Sequence, residues 1–175
     1  MLAYGYHRQL ADRIALTGTR YGGDLDLLAD PFAPFPALHG RDKDELGANL
    51  WLYFDGGSLF GQYVDEEIAG LKRRGLEGEV AWRFELPLFA AIAGRQFLPS
   101  IQPAFRYSKL DPQFANPART PAPSFAWEWT KTDAGLRIGI IPGTDLTVEM
   151  AHNKFLTRAG WRTLDETLAT LRWRM

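Results

Sequence analysis

The sequence predicts an all-β protein: an antiparallel transmembrane β-barrel with about eight or nine strands present, the C-terminal part of a larger barrel. Three observations predict it. The stretch Leu76 to Leu86, LEGEVAWRFEL, puts Leu76, Gly78, Val80, Trp82, Phe84 and Leu86 on one parity and Glu77, Glu79, Ala81, Arg83 and Glu85 on the other. Such period-two alternation marks a strand with one apolar and one charged face. Charges then recur mid-strand on the second parity, as a wet lumen wall backed by a lipid-facing wall requires. Finally, with one blurred case, the connections alternate short and long, which suits a barrel with tight turns at one end and loops at the other.

From the N-terminus, Leu2 to Arg8 reads as a strand with Leu2, Tyr4 and Tyr6 on one face. After the short connection QLAD, a second strand is expected at about Arg13 to Tyr21. A segment rich in Pro and Gly runs from Gly22 to Lys43 without periodicity. The third strand sets Leu46, Ala48, Leu50, Leu52 and Phe54 on one side, and Asp55-Gly56-Gly57 turns it into the fourth, Ser58 to about Asp65. The charged run EEIAGLKRRG reads as a connection to the fifth strand, which is Leu76 to Leu86 itself.

Pro87 to Pro99 connects onward, with room for a short helix or turn in the apolar run Leu86 to Ala93. The sixth strand, Ile101 to Tyr107, contains Pro103, which removes one ladder hydrogen bond and is expected at an edge or bulge. Leu110 to Ser124 carries Pro112, Pro117, Pro121 and Pro123 and reads as a loop. In the seventh strand Phe125, Trp127 and Trp129 lie on the opposite parity from Leu136, Ile138 and Ile140, which predicts a bulge near Lys131 to Asp133 or a change of surroundings. Pro142-Gly143-Thr144 is a tight turn. The eighth strand sets Leu146, Val148 and Met150 against Thr147, Glu149 and Ala151. A loop from Lys154 to Thr163, through Trp161, leads to the last strand, Leu164 to Met175.

The chain has 175 residues, enough for one domain, and a formal net charge of −1. It has no basic field of the kind that gathers nucleic acid. Without cysteine there is no disulfide framework and no thiolate metal site. Six Trp, six Tyr and eleven Phe suit strands more than helices. No apolar run reaches the roughly 18 residues of a transmembrane helix. The start, MLAYGYHRQL, is not a signal peptide, so an exported protein is expected to carry one upstream or to be longer than this chain. Trp82, Phe84, Phe54 and Trp173 fall near the expected tight-turn ends, and Tyr107, Trp127 and Trp129 near the opposite ends, as interfacial aromatic belts require.

The stretch FRYSKLDPQF and the ending GLRIGIIPGTDLTVEMAHNKF…TLDETLATLRWRM resemble the C-terminal half of bacterial outer-membrane porins, nearest the phosphate-selective porin O and P family. Arg106, Tyr107, Asp111, Gly135, Gly139 and Gly143 occupy similar places, over about the last 130 residues. The final strand resembles the assembly signal of outer-membrane proteins but ends in Met175, with Trp173 two before, where an aromatic is usual. The resemblance implies a Gram-negative outer-membrane location and a total of roughly 16 strands. It also implies outer-membrane lipid, small hydrophilic solutes or anions and the barrel assembly machinery as partners, and a homotrimer as the assembly. No cofactor is implied.

Nine residues are expected on the lumen wall: Glu77, Glu79, Arg83, Glu85, Arg106, Arg137, Glu149, Arg172 and Arg174. The five arginines could form a basic strip that attracts anions. The plainer alternative is cross-strand pairing with Glu77, Glu79, Glu85, Glu149 and Glu166. Asp65, Glu66 and Glu67 beside Lys72, Arg73 and Arg74 read as a solvated rim. His7, His39 and His152 lack metal-ligand spacing, and Ser58, Ser100, Ser108 and Ser124 lack a nucleophile context, so no enzyme is expected. The expected function is passive diffusion of small hydrophilic solutes, with a mild anion bias. A small structural or adhesin-type barrel without a pore and a soluble ligand-binding barrel stay open; the latter needs the apolar parity inside.

Overall fold

The computed structural model describes residues 1–9, 42–68, 70–88, 90–113, 128–157 and 160–174. These residues form strands and connections, with no helix among them. The strands are β1 (Leu2–Gln9), β2 (Asp42–Phe54), β3 (Gly57–Ile68), β4 (Leu71–Trp82), β5 (Phe84–Glu85), β6 (Ala91–Ile92), β7 (Arg95–Gln96), β8 (Ser100–Pro112), β9 (Trp129–Ile141), β10 (Thr144–Thr157) and β11 (Gly160–Trp173). All pairings are antiparallel, in the order β1-β2-β3-β4-β8-β9-β10-β11. β5 prolongs β4 against β8, and β6 with β7 forms a separate small hairpin.

The sheet is an up-and-down meander, and the tight reversals among the described residues carry glycines able to turn there. Gly56 and Gly143 sit in the left-handed region, at φ of +75° and +88°, where a side chain costs energy. Two expected connections are instead strand. Ile68 pairs with Leu71 and Thr157 with Gly160, so EEIAGLKRRG and the Lys154 to Thr163 segment are mostly ladder. The expected alternation of short and long connections therefore fails at these two places. The Leu86 to Ala93 run forms no helix: Leu86 N–H donates to the Pro99 carbonyl and Phe97 N–H to the Ala90 carbonyl, prolonging the β4–β8 hairpin downward. Strand Arg13 to Tyr21, the Gly22 to Arg41 segment, most of the Leu110 to Ser124 loop, Phe125, Trp127, His39 and Met175 lie outside the described residues.

Pro103 is neither at a sheet edge nor in a bulge. It lies inside β8, opposite the gap that separates β4 from β5, where a missing N–H is tolerated. No bulge occurs near Lys131 to Asp133, where β9 runs in register with both neighbours. The register shift sits at Thr144/Asp145. Trp129 lies on the face opposite Leu136 because the face changes character along the strand: its indole N–H donates to Asn153 Oδ1 at 3.3 Å.

Cross-strand register sorts the residues into two faces. Leu52, Leu59, Val80, Phe105, Ala134 and Met150 form one row of the apolar face, and Phe84, Ile101, Ile138, Leu146 and Leu171 another. Glu79, Arg106, Asp133, Ala151 and Glu166 form a row of the ionic face. Burial runs opposite to a soluble sheet. Val80, Phe105 and Leu171 are 45%, 48% and 66% exposed, while Glu66, Asp145 and Asn153 are buried. Leu2, Tyr4 and Tyr6 do share a face, as expected, and it is the ionic one, in register with Asn49, Gly47 and Glu45.

The boundary of the apolar face is slanted. Its first polar residue is Asp44 on β2, Asp65 on β3, Arg74 on β4, Lys109 on β8, Thr132 on β9, His152 on β10 and Thr167 on β11. Through the pairing, Asp65 and Arg74 are level with Leu46, Lys109 with Ala48, Thr132 and His152 with Leu50, and Thr167 with Leu52. At about 3.3 Å per residue and about 4.8 Å between strands, this shift from level 44 to level 52 over six strand steps is a slope of roughly 40°. The outer edges of β1 and β11 are unpaired among the described residues, which form an open sheet.

Candidate functional site on the ionic face

Alternation alone carries the expected residues to one face. Glu79 stands opposite Arg106, Glu77 opposite Ser108, Arg137 opposite Gln102, Glu149 opposite Gly135 and Arg172 opposite Asp145. Glu79, Arg106, Arg137, Glu149 and Arg172 line a hollow of about 360 Å³. Arg83 and Arg174 line a second one of about 170 Å³ toward the tight-turn end, where Arg137 and Asp145 also contribute. Glu77 and Glu85 line neither: Glu77 accepts from Ser108 Oγ at 3.1 Å, and Glu85 accepts from Arg83 Nε at 2.6 Å.

Most charges on this face are paired. Arg106 sits between Glu79 at 3.4 Å and Asp133 at 3.8 Å, and Lys131 reaches Asp133 at 3.0 Å. Arg137 and Arg172 do not take the expected glutamates. Both donate to Asp145, at 2.8 Å and 3.0 Å. The register shift after Thr144 sets Asp145 opposite Gly139, where a Cβ would stand 3.0 Å from Pro99 Cγ and 3.1 Å from Ser100 Oγ. Glu149 and Arg174 have no ion pair among the described residues.

The missed residue is therefore Asp145, and a signal for it existed. The alternation Thr147, Glu149, Ala151 extended back toward the turn reaches position 145. Asn153 was also missed; it links Trp129 to Glu166 Oε2 at 3.0 Å. Farther up the same face, Tyr4 O–H donates to Glu45 at 2.7 Å, and Lys43 bridges Glu45 and Glu66 at 3.0 and 3.2 Å.

The reading of Asp65, Glu66 and Glu67 as a solvated loop rim is corrected in part: they lie at the end of β3, not in a loop, and face Arg74, Arg73 and Lys72 across the ladder, with Asp65 and Glu67 partly exposed and Glu66 buried. Among the described residues, no three His, Cys, Asp or Glu side chains group closely enough to hold a metal ion. His7 and His152 each bond an aspartate instead, Asp44 and Asp165, both at 2.6 Å. No family model, curated protein or solved structure matches the chain.

Proposed function

We propose that this sheet is part of a transmembrane β-barrel whose apolar face meets outer-membrane lipid and whose ionic face lines a water-filled lumen. It serves passive diffusion of small hydrophilic solutes. The observation that carries this is the inversion of burial: exposed Leu76, Val80, Trp82 and Phe84 against buried Glu66, Asp145 and Asn153. In water a large contiguous apolar surface is costly, whereas lipid accepts it. The slope of roughly 40° in the apolar boundary agrees with strands tilted 35–45° in a bilayer, because a flat membrane cuts tilted strands at staggered residues. Phe54, Trp82 and Phe84, with ring centroids 5.3 and 6.5 Å apart, suit an interfacial belt at the tight-turn end. The unpaired edges of β1 and β11 call for further strands to close the wall.

A lumen lined by pairs of opposite sign discriminates weakly among ions, with the bias set by the least compensated arginines. Purified protein in a planar bilayer should give stepwise single-channel currents. Protein that inserts into the bilayer and passes no current is a barrel without a pore, and the diffusion function is then discarded.

A further inference from the structure

Charges recur along the ionic face, yet one aromatic patch of it carries none. On the β2–β3 hairpin, Asn49 pairs with Gln62, Trp51 with Phe60 and Tyr53 with Ser58. The Trp51 and Tyr53 rings lie within 8° of parallel, with centroids 6.0 Å apart, and Phe60 stands 4.2 Å from Trp51. The ramp is open: Trp51 is 45% and Tyr53 76% exposed. Asn49, Gln62 and Ser58 have no side-chain hydrogen bond among the described residues.

We propose that this patch is a binding site for neutral pyranose sugars, which rests on the ionic face lining the lumen. A pyranose ring presents a flat face of C–H bonds, slightly positive, which stacks on the negative face of an aromatic ring. Its hydroxyls are paired donors and acceptors, and an amide such as Asn49 or Gln62 supplies one of each. Two near-parallel rings two residues apart on β2 offer aromatic surface to successive sugar units. An inorganic anion would prefer the guanidiniums of β9 and β11, because it gains nothing from an apolar ring. Their location on the ionic face separates these rings from Phe54, Trp82 and Phe84, which lie on the apolar side.

The test is calorimetric titration of the detergent-solubilised full chain with maltotriose, with sorbitol as an open-chain polyol lacking a flat ring. Saturable maltotriose binding and none of sorbitol is expected. Trp51→Ala should raise Kd about tenfold, while Trp51→Phe, which keeps a ring, should raise it only about threefold. Asn49→Ala, which leaves the rings alone, should also weaken binding. In bilayers, maltotriose should interrupt the current of the wild type and not that of Trp51→Ala. Currents without maltotriose binding, or equal binding by wild type and Trp51→Ala, overturn the sugar site alone. Sugar binding without current leaves the site standing and overturns the channel.

Discussion

Asp145 is the residue on which the lower ionic face turns. Its carboxylate is largely withdrawn from water and accepts from both Arg137 and Arg172. Hydrogen bonds to charged groups contribute about 1.5–3 kcal/mol each, and removing one partner of a buried pair leaves the other uncompensated. Asp145→Asn should therefore lower the unfolding temperature, with a loss on the order of 2 kcal/mol. It should also free one positive charge, so the reversal potential in a salt gradient should move toward greater anion preference. Arg137→Glu should move it the opposite way, and an unchanged potential in both variants would remove these residues from the conduction path. A different pair serves at the far end. His7 lies level with Asp44, beyond the apolar boundary of β2, and bonds its carboxylate at 2.6 Å. That bond, then the aspartate's charge, holds the imidazole above its ordinary pKa of 6.5. A raised histidine pKa steadies the folded form below the unfolded value, and the gain disappears as pH rises through the folded value. The His7 ring signals in an NMR titration should thus turn over above 6.5, and Asp44→Asn should bring the midpoint back toward it.

At the scale of elements, the turns give the sharpest expectations. Gly56 and Gly94 share φ of +75°, so an alanine at either position meets the same left-handed penalty of about 1–2 kcal/mol. A Cβ on Gly56 would also stand 2.9 Å from the Arg83 carbonyl oxygen, whereas one on Gly94 meets nothing within 4 Å. Gly56→Ala should accordingly cost more stability than Gly94→Ala, measured as the temperature at which the folded band is lost on an unboiled gel. The same elements show what sequence could and could not tell. Alternation placed β4, β8 and β10 well, because one face is apolar along most of their length. It failed at EEIAGLKRRG, where charges stand on both faces and the period vanishes. The signal there was of another kind: the order of signs is mirrored about positions 69 and 70, so Asp65 meets Arg74 at 3.3 Å and Glu67 meets Lys72 at 3.2 Å across the ladder. Asp145 was missed because it stands directly after the Pro142-Gly143-Thr144 turn, although the alternation of β10 extends back to it.

For the whole molecule, the faces were legible from the sequence and the slant was not. Parity assigns each residue to a side, while the slope of the apolar boundary exists only once the register between strands is known. That slope and the exposed aromatic positions together yield a test by tryptophan location. Trp82 and Trp173 lie on the apolar side, at 41% and 68% exposure, while Trp51 and Trp129 lie on the ionic side. Proteins keeping one of these four tryptophans, with the others changed to Phe, can be placed in vesicles whose lipids carry bromine on the acyl chains. Bromine quenches only on near contact, so Trp82 and Trp173 should dim strongly and Trp51 and Trp129 should not. Aqueous iodide should dim Trp51 and leave Trp82 bright. A soluble ligand-binding barrel has its apolar side folded inward, away from any lipid, and would leave all four insensitive to bromine. Equal bromine quenching of Trp82 and Trp51 would mean that the two faces meet the same medium, which a wall between lipid and water does not allow.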